Sequence, residues 1–446
     1  MPEVKSQRAR ASQDGFTRRE FVYTTGAAIA GLAVGGGLGY ALAPSESSSG
    51  GGGTASSEPI KIGGAYMLTG GSAADGADML NGLELGVDDI NAAGGVLGRE
   101  LVVEQGDIES DLAPDKISAV LQKMTSGGAS AIFMGWASFP SSEFDVIART
   151  GTPCIHSNAY SGNTDYVAQD LEKYGSIFMS RPTEFSYARG FAAYLQELEA
   201  SGQYTSKNKT IGVVTATDGY SLNIAKAFKE SMEKAGYTQV LYEKFTPPLS
   251  EWGPILAKVR AKPADILFFS DYITGDAATF TKQFRTDPTP SLLFINLSPS
   301  SPEFYELVGD AANGVFWSSV SATLPDTAGQ DFLQRLEQKT GQKPGLSAPG
   351  SQYDGVHMWA LAASMAGDPD NFDAVVKNLR TLKYRGVNGT INFNPPDQAA
   401  LAYPDQVTDP TLGMPTVVYQ AQNQTNVVVS PAWLAAGKFQ MPSWVK

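Results

Sequence analysis

Short apolar runs alternate along this chain with stretches whose apolar residues recur every three or four positions. Residues 60–67 form such a run, closed by Leu68-Thr69-Gly70-Gly71. Met79, Leu83, Val87 and Ile90 then fall at the helical period, and Gly94-Gly95 ends the helix. Residues 101–104, 131–134 and 153–156 predict further strands, with Ile117, Val120, Leu121 and Met124 marking a helix. The rhythm resumes after Pro182. Residues 211–214, 240–245, 266–269 and 292–295 predict strands. Ile224, Phe228 and Met232, then Ile255, Leu256 and Val259, then Phe280 and Phe284, predict the helices between them. Continuous apolar strands between amphipathic helices imply parallel sheets covered on both faces. Right-handed crossovers make each run a doubly wound α/β lobe. Beyond Thr381 the pattern changes. Gly386-Val387-Asn388-Gly389-Thr390 predicts a turn into a strand at 391–393, residues 394–415 a long ordered excursion, and residues 416–420 a strand.

The first 58 residues stand outside this pattern. Thr17-Arg18-Arg19-Glu20-Phe21-Val22 resembles the twin-arginine export motif, and residues 23–43 carry no charge. Residues 1–43 are therefore an export signal or an anchor, and residues 44–58 a Ser/Gly-rich linker. Ala41-Leu42-Ala43 fits a cleavage site, but Pro44 follows it, so a cleaved form and an uncleaved, membrane-tethered form both remain open.

Composition narrows the chemistry. The 446 residues carry 33 Lys plus Arg against 46 Asp plus Glu, a net charge of −13, which disfavours nucleic acid as a partner. A single cysteine, Cys154, excludes an intrachain disulfide, and two histidines leave little for a metal site. No Gly-x-Ser-x-Gly, Walker loop, His-Glu-x-x-His or dinucleotide fingerprint is present, so neither an enzyme nor a cofactor is expected. His156, His357, Trp317, Trp359, Phe268 and Phe269 read as structural. Ligands of open parallel sheets collect beyond the carboxyl ends of the strands. That rule selects the loops 68–75, 135–142, 157–161, 215–220, 270–275 and 296–300. Their Ser, Thr and Asp residues are equally expected as helix N-caps.

Residues 60–70, Asn81-Gly82 and the block Asp89-Ile90-Asn91-Ala92-Ala93-Gly94-Gly95-Val96-Leu97-Gly98 resemble the opening of the type I extracytoplasmic solute-binding proteins. These serve ABC importers of branched-chain amino acids, amides and urea. Asp218-Gly219-Tyr220, Tyr353-Asp354-Gly355 and residues 409–415 extend the resemblance over most of the body. It implies two doubly wound lobes joined by three crossover strands, with the ligand between them. The lobes would comprise residues 59–179 with 316–415, and 180–315 with 416–446. Carried over singly, the pocket positions are Ser138 (or Ala137), Asn158, Ala159, Tyr160, Asp75, Tyr220 and Tyr272. Trp136 would narrow the pocket or stack on a planar ligand, and Ser298 lies in the loop after the fourth strand of the second lobe. That loop, Asn296-Leu297-Ser298-Pro299, lacks the acid that pairs with an amino-acid ammonium, a role that Asp75 or Asp271 could take. Without either, an amide, urea-like or carboxylate ligand is favoured. Arg181, near the first crossover, is placed to meet an anion or to form an interlobe salt bridge. The implied partners are a small solute, ABC permease subunits and, during export, the twin-arginine translocase. A sensory ligand-binding module of the same fold is the alternative. The absence of an apolar span before Lys446 argues against it.

Overall fold

The structure is a computed structural model and describes residues 58–70, 72–109, 113–136, 142–394 and 396–445. The leader, nearly all of the linker, and Ala137 and Ser138 lie outside the described residues. In the first lobe, β1 (Ile60–Tyr66), β2 (Leu101–Asp107), β3 (Ala131–Met134), β4 (Cys154–His156) and β5 (Ile177–Met179) run parallel in the order β2-β1-β3-β4-β5. In the second, β6 (Thr210–Ala216), β7 (Thr238–Phe245), β8 (Ile266–Ser270), β9 (Leu292–Asn296) and β10 (Phe316–Ser319) repeat that order as β7-β6-β8-β9-β10. Each sheet thus has a switch point beside its first strand, where two neighbouring loops part and leave a crevice.

Short strands complete both sheets. β11 (Lys383–Gly386), β12 (Gly389–Asn394) and β13 (Ala399–Ala400) extend the first beyond β5, with β13 parallel to β5 and the other pairs antiparallel. β14 (Ala402–Tyr403) and β15 (Met414–Pro415) pair separately, so the proline-rich excursion is ordered around short bridges. β16 (Val417–Gln422) and β17 (Thr425–Ser430) extend the second sheet beyond β10, in antiparallel pairs.

The strands are apolar throughout because helices cover both faces. Along β8, Phe268 enters the cluster with Phe228 and Phe294, while its neighbour Phe269 enters the opposite cluster with Trp252 and Phe280. Successive side chains of a strand point to opposite faces, so one aromatic pair serves two cores. Burying each such ring contributes about 1.5–3 kcal/mol. The stacked pair Phe191 and Phe294, 3.9 Å between centroids, fixes the Phe185–Ala200 helix on its sheet.

The chain crosses between lobes after β5, after β10 and between β15 and β16. The second crossing corrects the boundary expected at residue 316. Phe316 to Ser319 pair with Phe294 to Asn296 of β9 and with β16, so they belong to the second lobe. At the third crossing, a Cβ on Gly190 would lie 2.2 Å from Thr416 Cγ2, so this glycine lets helix and crossover touch. Among the described residues, no helix is long and apolar enough to cross a membrane.

Candidate ligand site between the lobes

The carboxyl ends of both sheets face one cavity of about 770 Å³, counting space open to solvent. The first lobe lines it with Met67 and Ser72 after β1, Trp136 after β3, and Asn158, Ala159 and Tyr160 after β4. The first crossing adds Arg181 and Tyr187. The second lobe adds Asp218, Gly219 and Tyr220 after β6, Tyr272 after β8 and Leu297 after β9. Of the positions expected from sequence, Trp136, Asn158, Ala159, Tyr160, Tyr220 and Tyr272 are brought together here.

Three expected positions do not line the cavity. Asp75 sits in the first turn of the Ala73–Ala92 helix, half-buried, and burial raises its carboxyl to about 7, reinforced by Asp78 and Glu303 and opposed by Arg181. Asp271 is fully buried, accepts from Ile273 N at 3.2 Å and lies beside Asp276, so burial and its acidic neighbour raise its pKa. Ser298 is buried in the 3₁₀ turn Ser298–Ser300, and its Oγ has no hydrogen-bond partner among the described residues.

Arg181 is the cation of the site. It is 1% exposed. Its Nε donates to Ser351 Oγ at 2.9 Å and its Nη2 to Ser347 O at 2.5 Å. The guanidinium also lies 5.8 Å from the centroid of the Trp136 ring. Burial lowers its pKa, while Tyr187, Tyr220 and Asp75 raise it. No described carboxylate forms an ion pair with it, so the interlobe salt bridge considered from sequence is not formed.

Asp218 is the anion. Its Oδ1 caps the Gly219–Lys234 helix by accepting from Ser221 N at 2.8 Å. Its Oδ2 is buried without a hydrogen bond among the described residues. Nearby, Tyr187 and Tyr220 meet edge to face, 6.4 Å between centroids. Tyr187 Oη and both amide atoms of Asn296 are likewise buried without a hydrogen bond of good geometry. Unsatisfied buried polar atoms are few in folded proteins, and their gathering beside one cavity marks it as a recognition surface. Leu297 adds strain, with φ 49 and ψ −47 in a region that leucine rarely enters.

Sequence reasoning missed Met67 and Tyr187, and selected the loops holding Ser72 and Leu297 without naming those residues. It selected the loop holding Asp218 as a ligand loop, with a helix cap as the equal alternative for the aspartate itself. The pocket position carried over as Asp75 falls in the first turn of the Ala73–Ala92 helix rather than in the loop before it.

The two lobes also touch around the cavity. Glu184, fully buried, accepts from Ser161 N and Ser161 Oγ at 2.7 Å each, and from Asn223 Nδ2 at 2.8 Å. On the other side, Ser300 O of the second lobe accepts from Leu346 N of the first at 3.1 Å. The expected structural residues are indeed internal. Trp317, Trp359, Phe268 and Phe269 are each 0% exposed. Burial takes His156 down to about 3, and His357 Nδ1 lies 2.9 Å from Tyr353 O.

Comparison with known proteins agrees with this geometry. The family model described as "Periplasmic binding protein" matches residues 59–403. A Leu/Ile/Val-binding protein homolog from Brucella melitensis is 24% identical over 324 residues, covering 73% of this chain and 84% of the relative. A crystal structure from Silicibacter pomeroyi, assigned to a branched-chain amino acid ABC transporter, is 32% identical with a TM-score of 0.82, covering 86% of this chain and all of the other. The isoleucine complex of a substrate-binding protein from Streptococcus pneumoniae shares the fold at 22% identity, with a TM-score of 0.66 over 84% of this chain and all of the other. The chain belongs to the type I periplasmic binding proteins of the branched-chain amino acid and urea ABC transporter family. It is a non-catalytic, extracytoplasmic solute-binding protein of an ABC importer.

Proposed function

We propose that this receptor holds its solute in the cavity walled by Trp136, Tyr160, Tyr187, Tyr220 and Tyr272 and presents the closed form to a permease. One observation carries the assignment: loops from the carboxyl ends of both sheets meet at a single cavity flanked by unsatisfied polar groups. Closure of two lobes buries such a ligand and excludes water, which strengthens each polar contact. The names of the relatives support amino acids and related solutes as the first ligands to test. A thermal-shift screen over amino acids, amides, urea and small carboxylates should give at least one stabilising hit. Calorimetry should then show that Tyr220→Ala weakens that hit tenfold or more. Unchanged affinity would remove Tyr220 from the site.

The Arg18-Arg19 pair supports export in the folded state through the twin-arginine translocase, with residues 44–58 as a tether if the apolar stretch is retained. Replacing both arginines with lysine should leave the protein in the cytoplasmic fraction. Export of that variant at the normal rate would remove this route.

A further inference from the structure

We propose that the turn Gly386-Val387-Asn388-Gly389 is the pivot on which the three crossings bend together, with Asn388 as the positioning residue that ties the second crossing to Arg181 at the cavity wall. This rests on the receptor reading above, in which the lobes move about their crossings.

The turn closes the β11–β12 hairpin, where Gly386 pairs with Gly389, and so belongs to the first lobe. Asp354 of the Ala348–Ala366 helix clamps it. Its two carboxylate oxygens accept from Val387 N at 2.8 Å and from Asn388 N at 3.0 Å. A Cβ on Gly386 would lie 2.3 Å from both oxygens, so any side chain there would collide with the clamp.

Each crossing reaches this turn. From the second, Ser321 O accepts from Asn388 Nδ2 at 2.7 Å, Thr323 Oγ1 donates to Asn388 Oδ1 at 3.2 Å, and Leu324 N donates to Val387 O at 2.9 Å. Beside the third, Gly389 has φ 123, and a Cβ there would lie 2.8 Å from Pro415 Cδ. The first is reached through Ser351. Its Oγ accepts from Asn388 Nδ2 at 3.2 Å and from Arg181 Nε at 2.9 Å. A Cβ on Gly350 would lie 2.1 Å from Asn388 Oδ1, so helix and amide meet with no room between them.

An asparagine amide has two N–H donors and one acceptor oxygen, and here all are engaged. A displacement of the second crossing therefore pulls on both ends of one planar group, which passes it to Ser351 and on to Arg181. Asn388, Ser321, Thr323, Ser351 and Arg181 are all buried. A buried polar group bears the full cost of a lost partner, so the relay moves as a unit rather than breaking. Hinge bending thus shifts the cation against Trp136, whose ring centroid lies 5.8 Å from it.

The test measures the interlobe distance in the purified full chain after exhaustive dialysis, by double electron–electron resonance between spin labels at Gln122→Cys and Lys226→Cys. Both positions are exposed, one on each lobe, and Cys154 is buried. Asn388→Ala should change the ratio of open to closed distances by about two- to tenfold, the effect of one or two lost neutral hydrogen bonds. Ser351→Ala keeps the helix and the Asn388–Ser321 bond. It should change the ratio in the same direction, and it serves where Asn388→Ala folds poorly. Both break one chain, so the double variant should change the ratio no more than the larger single effect. Ile391→Val loosens the same hairpin at a buried position outside the relay and should leave the ratio unchanged. Unaltered ratios in both relay variants, additive effects in the double, or an equal change in Ile391→Val would each overturn this inference. The receptor reading is decided separately, by whether the wild type binds any amino acid, amide, urea or small carboxylate.

Discussion

Asn223 Nδ2 lies 2.8 Å from Glu184 Oε1, and the same carboxylate accepts Ser161 N and Ser161 Oγ at 2.7 Å. Ser161 begins a first-lobe helix, Glu184 stands on the first crossing and Asn223 rides on the second-lobe helix Gly219–Lys234. The carboxylate therefore joins both lobes beside Tyr160. Hydrogen bonds to charged groups are worth about 1.5–3 kcal/mol, enough to shift an open–closed equilibrium by tenfold or more.

Asn223→Ala should therefore weaken solute affinity about tenfold and leave the melting temperature of the solute-free protein nearly unchanged. Small-angle scattering should show a larger radius of gyration at subsaturating solute than in the wild type. Equal affinities would make the contact incidental to closure.

The mouth of the cleft should respond to pH. Asp75 is raised to about 7 and Asp78 to about 6, both chiefly by burial, and Asp78 and Glu303 act on Asp75 from the two sides of the cleft. A pKa raised on closing means that closing takes up protons. Affinity should therefore rise as pH falls from 8 toward 5.5, and level off below the ordinary carboxylate range. The same sign holds for stability: these groups contribute fully below about 4 and lose that contribution as pH rises through the values above. Asp75→Asn should flatten the affinity profile between pH 6 and 8. A wild-type affinity independent of pH over that span would count against the mechanism.

Gly219 separates closure from folding. A Cβ there would lie 2.9 Å from Tyr160 Oη, across the interlobe gap. Gly219→Ala places alanine in the first turn of a helix, which favours the native state by about 0.4–1 kcal/mol through the unfolded chain. Stability should hold or rise slightly while affinity falls about threefold to tenfold, because Tyr160 must give way. Calorimetry paired with urea denaturation checks both. Lower stability with full affinity would show that the glycine serves the fold alone.

How far these features were legible depends on what each residue reveals by itself. β1, β6 and β8 announce themselves because strands buried on both faces must be apolar along their length. β5 and β10 do not. β5 has three residues, and β10 follows Phe316-Trp317 with Ser318 and Ser319, both fully buried. Ser318 is tolerated inside because its Oγ donates to Tyr187 O at 3.0 Å, a partner 131 residues away. No local pattern encodes that. The loops of the site were legible from topology, since a doubly wound sheet binds beyond its carboxyl ends. Their chemistry was less so. The sequence marks Arg181 as a cation, but its burial against Ser347 and Ser351, at the start of the Ala348–Ala366 helix, has no local signature. Asp218 carries an ordinary capping signature, and only the fold shows that its second oxygen is left over.

The third crossing gives a test of how tightly the lobes are joined. Gly190 lies in the Phe185–Ala200 helix, and an added Cβ would sit 2.2 Å from Thr416 Cγ2 and 2.7 Å from Thr416 Cβ. Thr416 immediately precedes β16 and is itself buried, so it has little room to retreat. Overpacking of this kind costs about 1–3 kcal/mol, which exceeds the gain of about 1 kcal/mol from replacing a helical glycine. Gly190→Ala should therefore destabilise the protein. Thr416→Ala removes the nearer methyl and should recover part of the loss in the double variant. Urea denaturation of both single variants and the double closes the cycle. Additive effects would show that helix and crossover move apart freely, and the third crossing would then be a loose tether rather than a packed hinge.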